Sequence, residues 1–264
     1  MQRLRSDDAE IVYEVRGSGP PVVLLHPFPS HHEFWYPIAP ALESRFSLIL
    51  PDLRGHGDSD AGEGPALMQK HARDIEKLLD AVGIRKAAFV GCSIGGYIMF
   101  ESWRRFRERM TALVLCDTRP QPDTVEARAN RLKNAATVSE QGTEPFLEGM
   151  IPKLMGATTV TTRPDLVEGA RAMMRKMSAE DINLVLRGMA ERPDSVADLK
   201  TINVPTLIVI GEEDGFSTPA DGEFMRQNIA GSQLKVIPKA GHYAPWEQPE
   251  AVGKILRQFL EESR

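Results

Sequence analysis

The stretch that decides the fold is Gly91-Cys92-Ser93-Ile94-Gly95. It follows an apolar run at residues 87–90 that predicts a buried strand, and it precedes residues 97–103, which predict a helix. A G-x-S-x-G pentapeptide between strand and helix is typical of a nucleophile elbow, a tight turn that exposes the serine hydroxyl. Glycine is needed at the flanking positions because strand and helix approach closely there. The pentapeptide therefore predicts Ser93 as a catalytic nucleophile.

Strand and helix signals alternate on both sides of this turn. The continuous apolar run over 21–25 predicts a strand buried on both faces, and apolar-rich runs predict further strands over 46–50, 87–90, 112–116, 205–210 and 234–237. An alternating pattern predicts an exposed strand over 11–15, and apolar periodicity predicts helices over 32–44, 66–82 and 245–260. Strands that alternate with helices imply crossover connections, so we expect an α/β fold with a mostly parallel central sheet flanked by helices.

The pattern changes after Thr118, because residues 120–200 contain helical periods and no convincing strand signal. Ser178 is predicted to cap a helix, with Asp181 at the capping-box position and an apolar stripe that includes Ile182 and Met189. We therefore expect a core domain of residues 1–119 and 201–264, interrupted by an all-helical cap over residues 120–200.

Composition narrows the function class. The chain has 264 residues, and its net charge of −5 offers no basic surface for nucleic acid. It contains no apolar run long enough for a membrane span and no secretion signal, so we expect a cytoplasmic protein without a membrane partner. The two cysteines, Cys92 and Cys116, end predicted strands and are expected to be reduced core thiols.

A metal site is not expected. None of the six histidines falls in a sequence pattern typical of metal ligands, and the neighbours His31 and His32 are predicted to lie in a polar loop.

Two further residues stand where a serine nucleophile needs partners. The hydroxyl needs a base, and the base needs an orienting acid. In an open parallel sheet such groups gather outside the carboxyl ends of the strands. Asp214 follows the strand over 205–210, and His242 follows the strand over 234–237. The sequence thus predicts a catalytic triad of Ser93, Asp214 and His242.

These motifs resemble the α/β-hydrolase superfamily, in the subgroup of bacterial esterases, 3-oxoadipate enol-lactonases and cofactor-free haloperoxidases. The resemblance covers nearly the whole chain. It rests on HPFP at 26–29, DLRGHGDS at 52–59, the elbow, G-x-x-D at 211–214 followed by Pro219, and Gly241-His242 followed by Glu247 and Pro249. It implies an α/β-hydrolase fold and hydrolysis of a carboxylic ester or lactone through an acyl-enzyme, without a cofactor or a metal.

The resemblance also implies roles for individual residues. The backbone N–H groups of Phe28 and Ile94 would form the oxyanion hole. Phe28 lies in the loop that follows the strand over 21–25. The family usually has His-Gly at the start of this loop, and this chain has His26-Pro27. Proline removes the amide of position 27, but the donor is expected at Phe28, so the hole can form. Some relatives take the acid from the position of Asp117, so Asp117 and Glu213 stay open as alternatives to Asp214.

Other residues receive weaker assignments. Trp35, Tyr97, Met150 and Met173 are candidates for the substrate pocket. Cys92 is expected to pack into the sheet. Asp52 and His56 lie in a loop that is structural in this fold, so neither is given a catalytic role.

Several functions are compatible with these residues. The leading one is a serine hydrolase whose partner is a small ester or lactone. An enol-lactonase or a carbon–carbon hydrolase acting on an anionic substrate would need cationic residues such as Arg119, Arg131 or Arg163 in the pocket. Pro29 matches a proline of related perhydrolases, so promiscuous peracid formation is a further candidate activity. A non-catalytic ligand receptor with the hydrolase fold is the alternative from another class.

Overall fold

An eight-stranded sheet forms the centre of the protein, in a computed structural model that describes residues 1–263. The strands are β1 (Gln2–Ser6), β2 (Ala9–Gly17), β3 (Pro21–Leu25), β4 (Ser47–Pro51), β5 (Ala87–Cys92), β6 (Met110–Cys116), β7 (Thr206–Gly211) and β8 (Gln233–Ile237). Their order in the sheet is β1-β2-β4-β3-β5-β6-β7-β8. Strands β3 to β8 run parallel, whereas β1 and β2 are antiparallel to their neighbours. The predicted mostly parallel sheet is confirmed.

Helices flank this sheet. They are α1 (Ala39–Leu42), α2 (Met68–Ala81), α3 (Ile94–Phe106), α4 (Val125–Gln141), α5 (Glu144–Leu154), α6 (Ala157–Thr162), α7 (Pro164–Met174), α8 (Ala179–Ala190), α9 (Pro219–Asn228), α10 (Ala244–Glu247) and α11 (Pro249–Glu262). Within residues 1–263, none of the helices has the length and apolar character needed to cross a bilayer.

Two predicted helices are interrupted. The predicted helix over 32–44 is a 3-10 turn at His32–Trp35 followed by the short α1, with Pro37 between them. The predicted helix over 245–260 is divided into α10 and α11 at Gln248, whose φ and ψ are −129° and 58°. A proline cannot donate a backbone hydrogen bond, and it disfavours helical geometry in the residue before it. Both continuous helices were therefore wrong for the same reason.

The amino-terminal strands also differ from expectation. Strand β1 has polar and charged residues at most positions, so its hydropathy carries no strand signal. Strand β2 was predicted to be exposed, but Ile11, Val12 and Tyr13 are all buried. Because β2 pairs with β1 on one side and with β4 on the other, it is not an edge strand.

Five helices, α4 to α8, connect β6 to β7. The Ser178 hydroxyl accepts a hydrogen bond from the peptide N–H of Asp181 at 3.1 Å, which confirms the predicted cap of α8. The predicted stripe on α8, including Ile182 and Met189, is buried. The buried side chains form one continuous apolar cluster that extends from the sheet into these helices. The five helices are thus packed against the strand-bearing part of the protein by hydrophobic burial.

Candidate active site

Ser93 occupies a strained turn between β5 and α3. Its φ and ψ are 55° and −114°, a conformation that residues other than glycine rarely adopt. A Cβ at Gly95 would lie 2.4 Å from the carbonyl oxygen of Leu25, and one at Gly91 would lie 2.5 Å from the Met99 sulfur. Helix α3 therefore lies close to β5, through Gly91, and to β3, through Gly95, which is the close approach that the pentapeptide predicts. This packing holds the serine in place.

The structure brings Ser93, His242 and Asp214 together. Ser93 Oγ lies 2.8 Å from His242 Nε2, and His242 Nδ1 lies 2.8 Å from Asp214 Oδ2. The other carboxylate oxygen, Asp214 Oδ1, accepts hydrogen bonds from the peptide N–H groups of Phe216 and Ser217 at 2.7 and 3.1 Å. All three side chains are nearly buried. The arrangement can transfer the serine proton to the imidazole, whose opposite nitrogen is oriented by the carboxylate.

Asp117 and Glu213, the two alternatives to Asp214, accept hydrogen bonds from groups other than His242. Asp117 accepts hydrogen bonds from the peptide N–H groups of Gly211 and Ala244, at 2.7 and 3.2 Å. Burial, together with the charge of Asp214, raises the pKa of the Asp117 carboxyl well above its usual range. Glu213 accepts from the backbone N–H and the hydroxyl of Thr158. Asp117 therefore connects β7 to α10, and Glu213 connects the β7 loop to α6.

The loop with the proposed oxyanion donor is held by several hydrogen bonds. The Tyr243 hydroxyl donates to the carbonyl oxygen of Phe28 at 3.3 Å. The carbonyl oxygen of Pro27 accepts from the backbone N–H and the hydroxyl of Ser30, at 3.2 and 2.7 Å. Ile94 is the first residue of α3, where a peptide N–H has no partner within the helix. Phe28 and Ser93 line the same cavity.

Buried histidines support this loop from behind. His26 Nδ1 donates to the carbonyl oxygen of Pro27, and His26 Nε2 accepts from the Leu53 N–H, both at 2.9 Å. The ring of His56 packs edge-on against Phe28, with centroids 5.8 Å apart. Burial lowers the pKa of His26 well below its usual range and lowers the pKa of His56 to about 4. Both rings are therefore neutral supports near neutral pH.

His31, His32 and Asp52 form another buried group, and their potential ligand atoms lie within 4.8 Å of one another. The structure buries both histidines, so the polar loop predicted for them was wrong. Asp52 Oδ1 accepts from the backbone N–H and the Nδ1 of His32 at 2.9 and 2.7 Å, and Oδ2 accepts from the Asp58 N–H at 3.0 Å. The carboxylate thus joins two loops, the arrangement expected of a structural residue.

A cavity of about 240 Å³ lies above Ser93 and His242. One wall is the face of α4 at i, i+3, i+4 and i+7 spacing, and it consists of Ala127, Asn130, Arg131 and Asn134. A second wall is formed by α5, and it consists of Phe146, Met150, Lys153 and Leu154. Besides Ser93 and His242, the remaining lining residues are Phe28, Tyr97, Arg119, Asp123, Leu186, Met189 and Phe216. The first wall is mostly polar, and the second is mostly apolar.

Two of the four predicted pocket residues line this cavity. Tyr97 and Met150 do, but Trp35 and Met173 do not. Trp35 is fully buried and packs edge-on against Phe34, with ring centroids 5.0 Å apart. Met173 lies on α7, which faces a different surface groove beside His31. Trp35 was assigned from its place near the predicted pocket wall, and Met173 from its apolar character in the cap. Neither signal distinguishes a packed side chain from one that lines a cavity.

The cavity has more cationic than anionic side chains. Arg119, Arg131 and Lys153 line it, and Asp123 is its carboxylate. Asp123 pairs with both Arg131 and Arg192. Burial raises the pKa of Asp123, but the two guanidinium groups outweigh burial and leave that pKa below its usual value. Within residues 1–263, neither Arg119 nor Lys153 forms an ion pair.

The third arginine that the sequence suggested lies outside the cavity. Arg163 pairs with Asp165 at the exposed start of α7. The periodic face of α4, which combines Asn130, Arg131 and Asn134 where a buried helix would have apolar residues, is the signal that could have located the polar wall.

Comparisons with known proteins show the family of this chain. Residues 20–249 match the family described as alpha/beta hydrolase fold. The chain is 27% identical to 3-oxoadipate enol-lactonase 2 of Acinetobacter baylyi, over 97% of this chain and 96% of that protein. A thermophilic esterase from Thermogutta terrifontis, solved with malate bound, superposes with a TM-score of 0.96 at 37% identity, over 100% of this chain and 99% of that one. The enol-lactonase of Burkholderia xenovorans LB400 gives 0.92 at 25% identity, over 98% and 100%. The chain belongs to the alpha/beta hydrolase fold family.

Proposed function

We propose that the protein hydrolyses small carboxylic esters or lactones with Ser93 as the nucleophile. The observation that carries this proposal is the pair of 2.8 Å contacts that connect Ser93 to His242 and His242 to Asp214 at the floor of a cavity. A serine hydroxyl is unreactive alone, and this arrangement supplies both its base and the acid that orients the base.

The steps follow from the positions of these groups. Ser93 Oγ attacks the ester carbonyl carbon while His242 Nε2 takes the hydroxyl proton, and Asp214 stabilises the resulting imidazolium. The oxyanion is bound by the backbone N–H groups of Phe28 and Ile94. The intermediate collapses and expels the alcohol, which receives its proton from His242. Water, activated by the same imidazole, then attacks the acyl-enzyme and releases the acid. The net reaction converts the ester and one water into the acid and the alcohol, and the last collapse returns a proton from His242 to Ser93.

Residues 120–200 act in this proposal as a cap over a core of residues 1–119 and 201–264. The α4 and α5 walls are supplied by the cap, and the reacting groups by the core. The cavity volume of about 240 Å³ lies below the usual range of roughly 300–1,000 Å³ for ligand pockets. The small volume favours short acyl and alcohol groups.

Substitution of the nucleophile tests the proposal. Ser93→Ala should lower kcat on p-nitrophenyl acetate and butyrate by at least about 10⁴-fold, because the whole covalent pathway is removed. Ser139→Ala is the control, since Ser139 is an exposed serine on α4 outside the cavity. Equal rates for wild type and Ser93→Ala would contradict the enzyme assignment and favour the receptor alternative.

A second candidate, hydrolysis of an ester or lactone that carries a carboxylate, is favoured by the charges of the cavity. Arg119 and Lys153 have no acidic partner in residues 1–263, and Asp123 is shared by two arginines. The cavity is therefore locally cationic in a chain whose net charge is −5. A guanidinium is suited to bind a carboxylate through paired hydrogen bonds.

Two substrates of nearly equal shape separate the candidates. Monoethyl glutarate carries a carboxylate where ethyl pentanoate carries a methyl group, and a pH-stat records hydrolysis of both. Arg119→Gln should lower kcat/KM for monoethyl glutarate by about tenfold or more, and for ethyl pentanoate by less than about twofold. Arg163→Gln, an exposed arginine outside the cavity, should change neither. Equal losses on both substrates in Arg119→Gln would contradict recognition of the negative charge.

A further inference from the structure

Glu247 is a buried carboxylate with no role in the steps above. It ends α10, five residues after His242, and is 2% exposed. In the part of the chain from residue 1 to residue 263, it forms no ion pair with a lysine or an arginine. A buried charge of this kind is costly unless hydrogen bonds satisfy it. The groups that donate hydrogen bonds to Glu247 therefore indicate which segments it holds.

One oxygen of Glu247 binds the backbone on both sides of His242. Oε1 accepts from the peptide N–H of Gly241 at 2.9 Å and from that of Tyr243 at 3.3 Å. The next peptide N–H, that of Ala244, donates to Asp117 at 3.2 Å. Three amides of the His242 loop are thus held by two buried carboxylates. Neither carboxylate hydrogen-bonds the imidazole itself, which is bound by Asp214 and Ser93.

The other oxygen binds the inserted helices. Glu247 Oε2 accepts from the peptide N–H of Gly156, directly before α6, at 2.9 Å. Gly156 and Gly241 also touch through their backbones, since a Cβ at Gly241 would lie 2.2 Å from the Gly156 nitrogen. Two residues later, Thr158 donates to Glu213, the neighbour of Asp214. The segment that begins α6 therefore docks on both loops that carry His242 and Asp214.

We propose that Glu247 is a positioning residue, which fixes the His242 loop by accepting from the amides on either side of His242 and joins that loop to the segment before α6. The inference rests on the roles proposed above for Ser93 and His242. An imidazole that must reach two partners at 2.8 Å tolerates little displacement of its loop. A misplacement of about 1 Å in an active site can cost about 10²-fold in rate.

Glu247→Gln tests this directly, because it keeps the size of the side chain and replaces one acceptor oxygen by an NH₂ group that cannot accept. We expect kcat on p-nitrophenyl acetate to fall about tenfold or more, with KM changed less than about threefold. Rates are expressed per active site, counted from the burst of p-nitrophenol released by diethyl p-nitrophenyl phosphate. This correction removes the effect of unfolded protein, so a purely structural role would leave kcat unchanged. Glu250→Gln, an exposed carboxylate three residues on, is the control.

Gly156→Ala tests the same connection from the other side without removing a charge. Its Cβ would lie 2.8 Å from the Gly241 nitrogen and 2.6 Å from Glu213 Oε2, so the segment must move away from the His242 loop. We expect kcat per active site to fall again with little change in KM. Gly149→Ala is the matched control, because no atom lies within 4 Å of a Cβ built at Gly149.

The outcomes separate this inference from the proposed function. Reduced kcat per active site in Glu247→Gln and Gly156→Ala, with both controls at the wild-type value, supports positioning. An unchanged value in Glu247→Gln overturns it, and if that variant does not fold, Gly156→Ala decides alone. If Ser93→Ala retains full activity, the proposed function has failed instead.

Discussion

The strand ends and the inserted helices face the same cavity, but they hold their side chains differently. Ser93, Asp214 and His242 are 7%, 4% and 3% exposed, and each is fixed by hydrogen bonds. On the helices, Asn130 and Lys153 are exposed, and Lys153 has no acidic partner within residues 1–263. Reacting groups need rigid support, whereas groups that select a substrate can vary with the surface that carries them. We therefore expect substitutions on the two sides to change different quantities.

The largest loss of activity is expected from substitutions at the strand ends. Asp214→Asn should lower kcat/KM on p-nitrophenyl butyrate by about 10⁴-fold, because an amide cannot stabilise the imidazolium or select the right tautomer. Asp117→Asn is the matched control, since it changes an equally buried carboxylate that binds only backbone amides. It should cost less than about tenfold in rate. A larger loss in Asp117→Asn than in Asp214→Asn would reverse the assignment of the acid.

The loss of folding stability at low pH should come from the strand-bearing part of the chain and not from the inserted helices. All six histidines lie outside residues 120–200. Burial lowers the pKa of His26 and His71 well below the usual range and that of His56 to about 4. The unfolded chain therefore binds more protons than the folded one below pH ~6.5, so stability is lost as the pH falls. Between pH 7.5 and 5.5 each such histidine should remove about 1.4 kcal/mol from the free energy of unfolding.

Urea unfolding at several pH values measures this loss. The free energy of unfolding of wild type should differ between pH 7.5 and 5.5. His71→Leu should reduce that difference by about 1.4 kcal/mol, because leucine has no proton to gain. A pH dependence identical to that of wild type would break the link between acid sensitivity and the buried rings.

The smallest effect is expected on the inserted helices. Ser178→Ala removes the cap of α8 and should lower the free energy of unfolding by about 1 kcal/mol. The value of kcat on p-nitrophenyl acetate should not change, because α8 carries no reacting group. Alanine at Lys133, an exposed residue of α4, should alter stability by less than about 0.5 kcal/mol. A loss of kcat in Ser178→Ala would mean that the stability of the helices and the chemistry at the strand ends are coupled.

Local patterns predicted the sheet well, and they also led to three side chains that the structure brings within hydrogen-bonding distance of one another. Strand β5 and the glycines of the elbow follow from residues that are neighbours in sequence, because a buried strand is continuously apolar and a tight turn needs glycine. The rule that reactive groups follow parallel strands then led to Asp214 and His242. That rule did not choose between Asp214 and Asp117, since each follows a strand. Their different partners depend on which strand lies beside β8, a tertiary property.

The features that the sequence did not predict depend on contacts between distant segments. Trp35 and Met150 are both large and apolar, yet only Met150 lines the cavity. Packing between α4 and α5 decides which polar residues of α4 line the cavity. No local sequence pattern contains that information. The shared role of Glu247 likewise depends on Gly156, which is 91 positions away along the chain.

The two cysteines have a practical consequence for work with this protein. Cys92 and Cys116 are fully buried, and burial raises the pKa of both thiols well above the usual range. Alkylation requires an accessible thiolate, so iodoacetamide and maleimides should leave the folded protein unmodified. A single cysteine introduced at Asn130 of α4 or Lys153 of α5, two exposed residues that line the cavity, would then accept a fluorescent or spin label at one position beside that cavity.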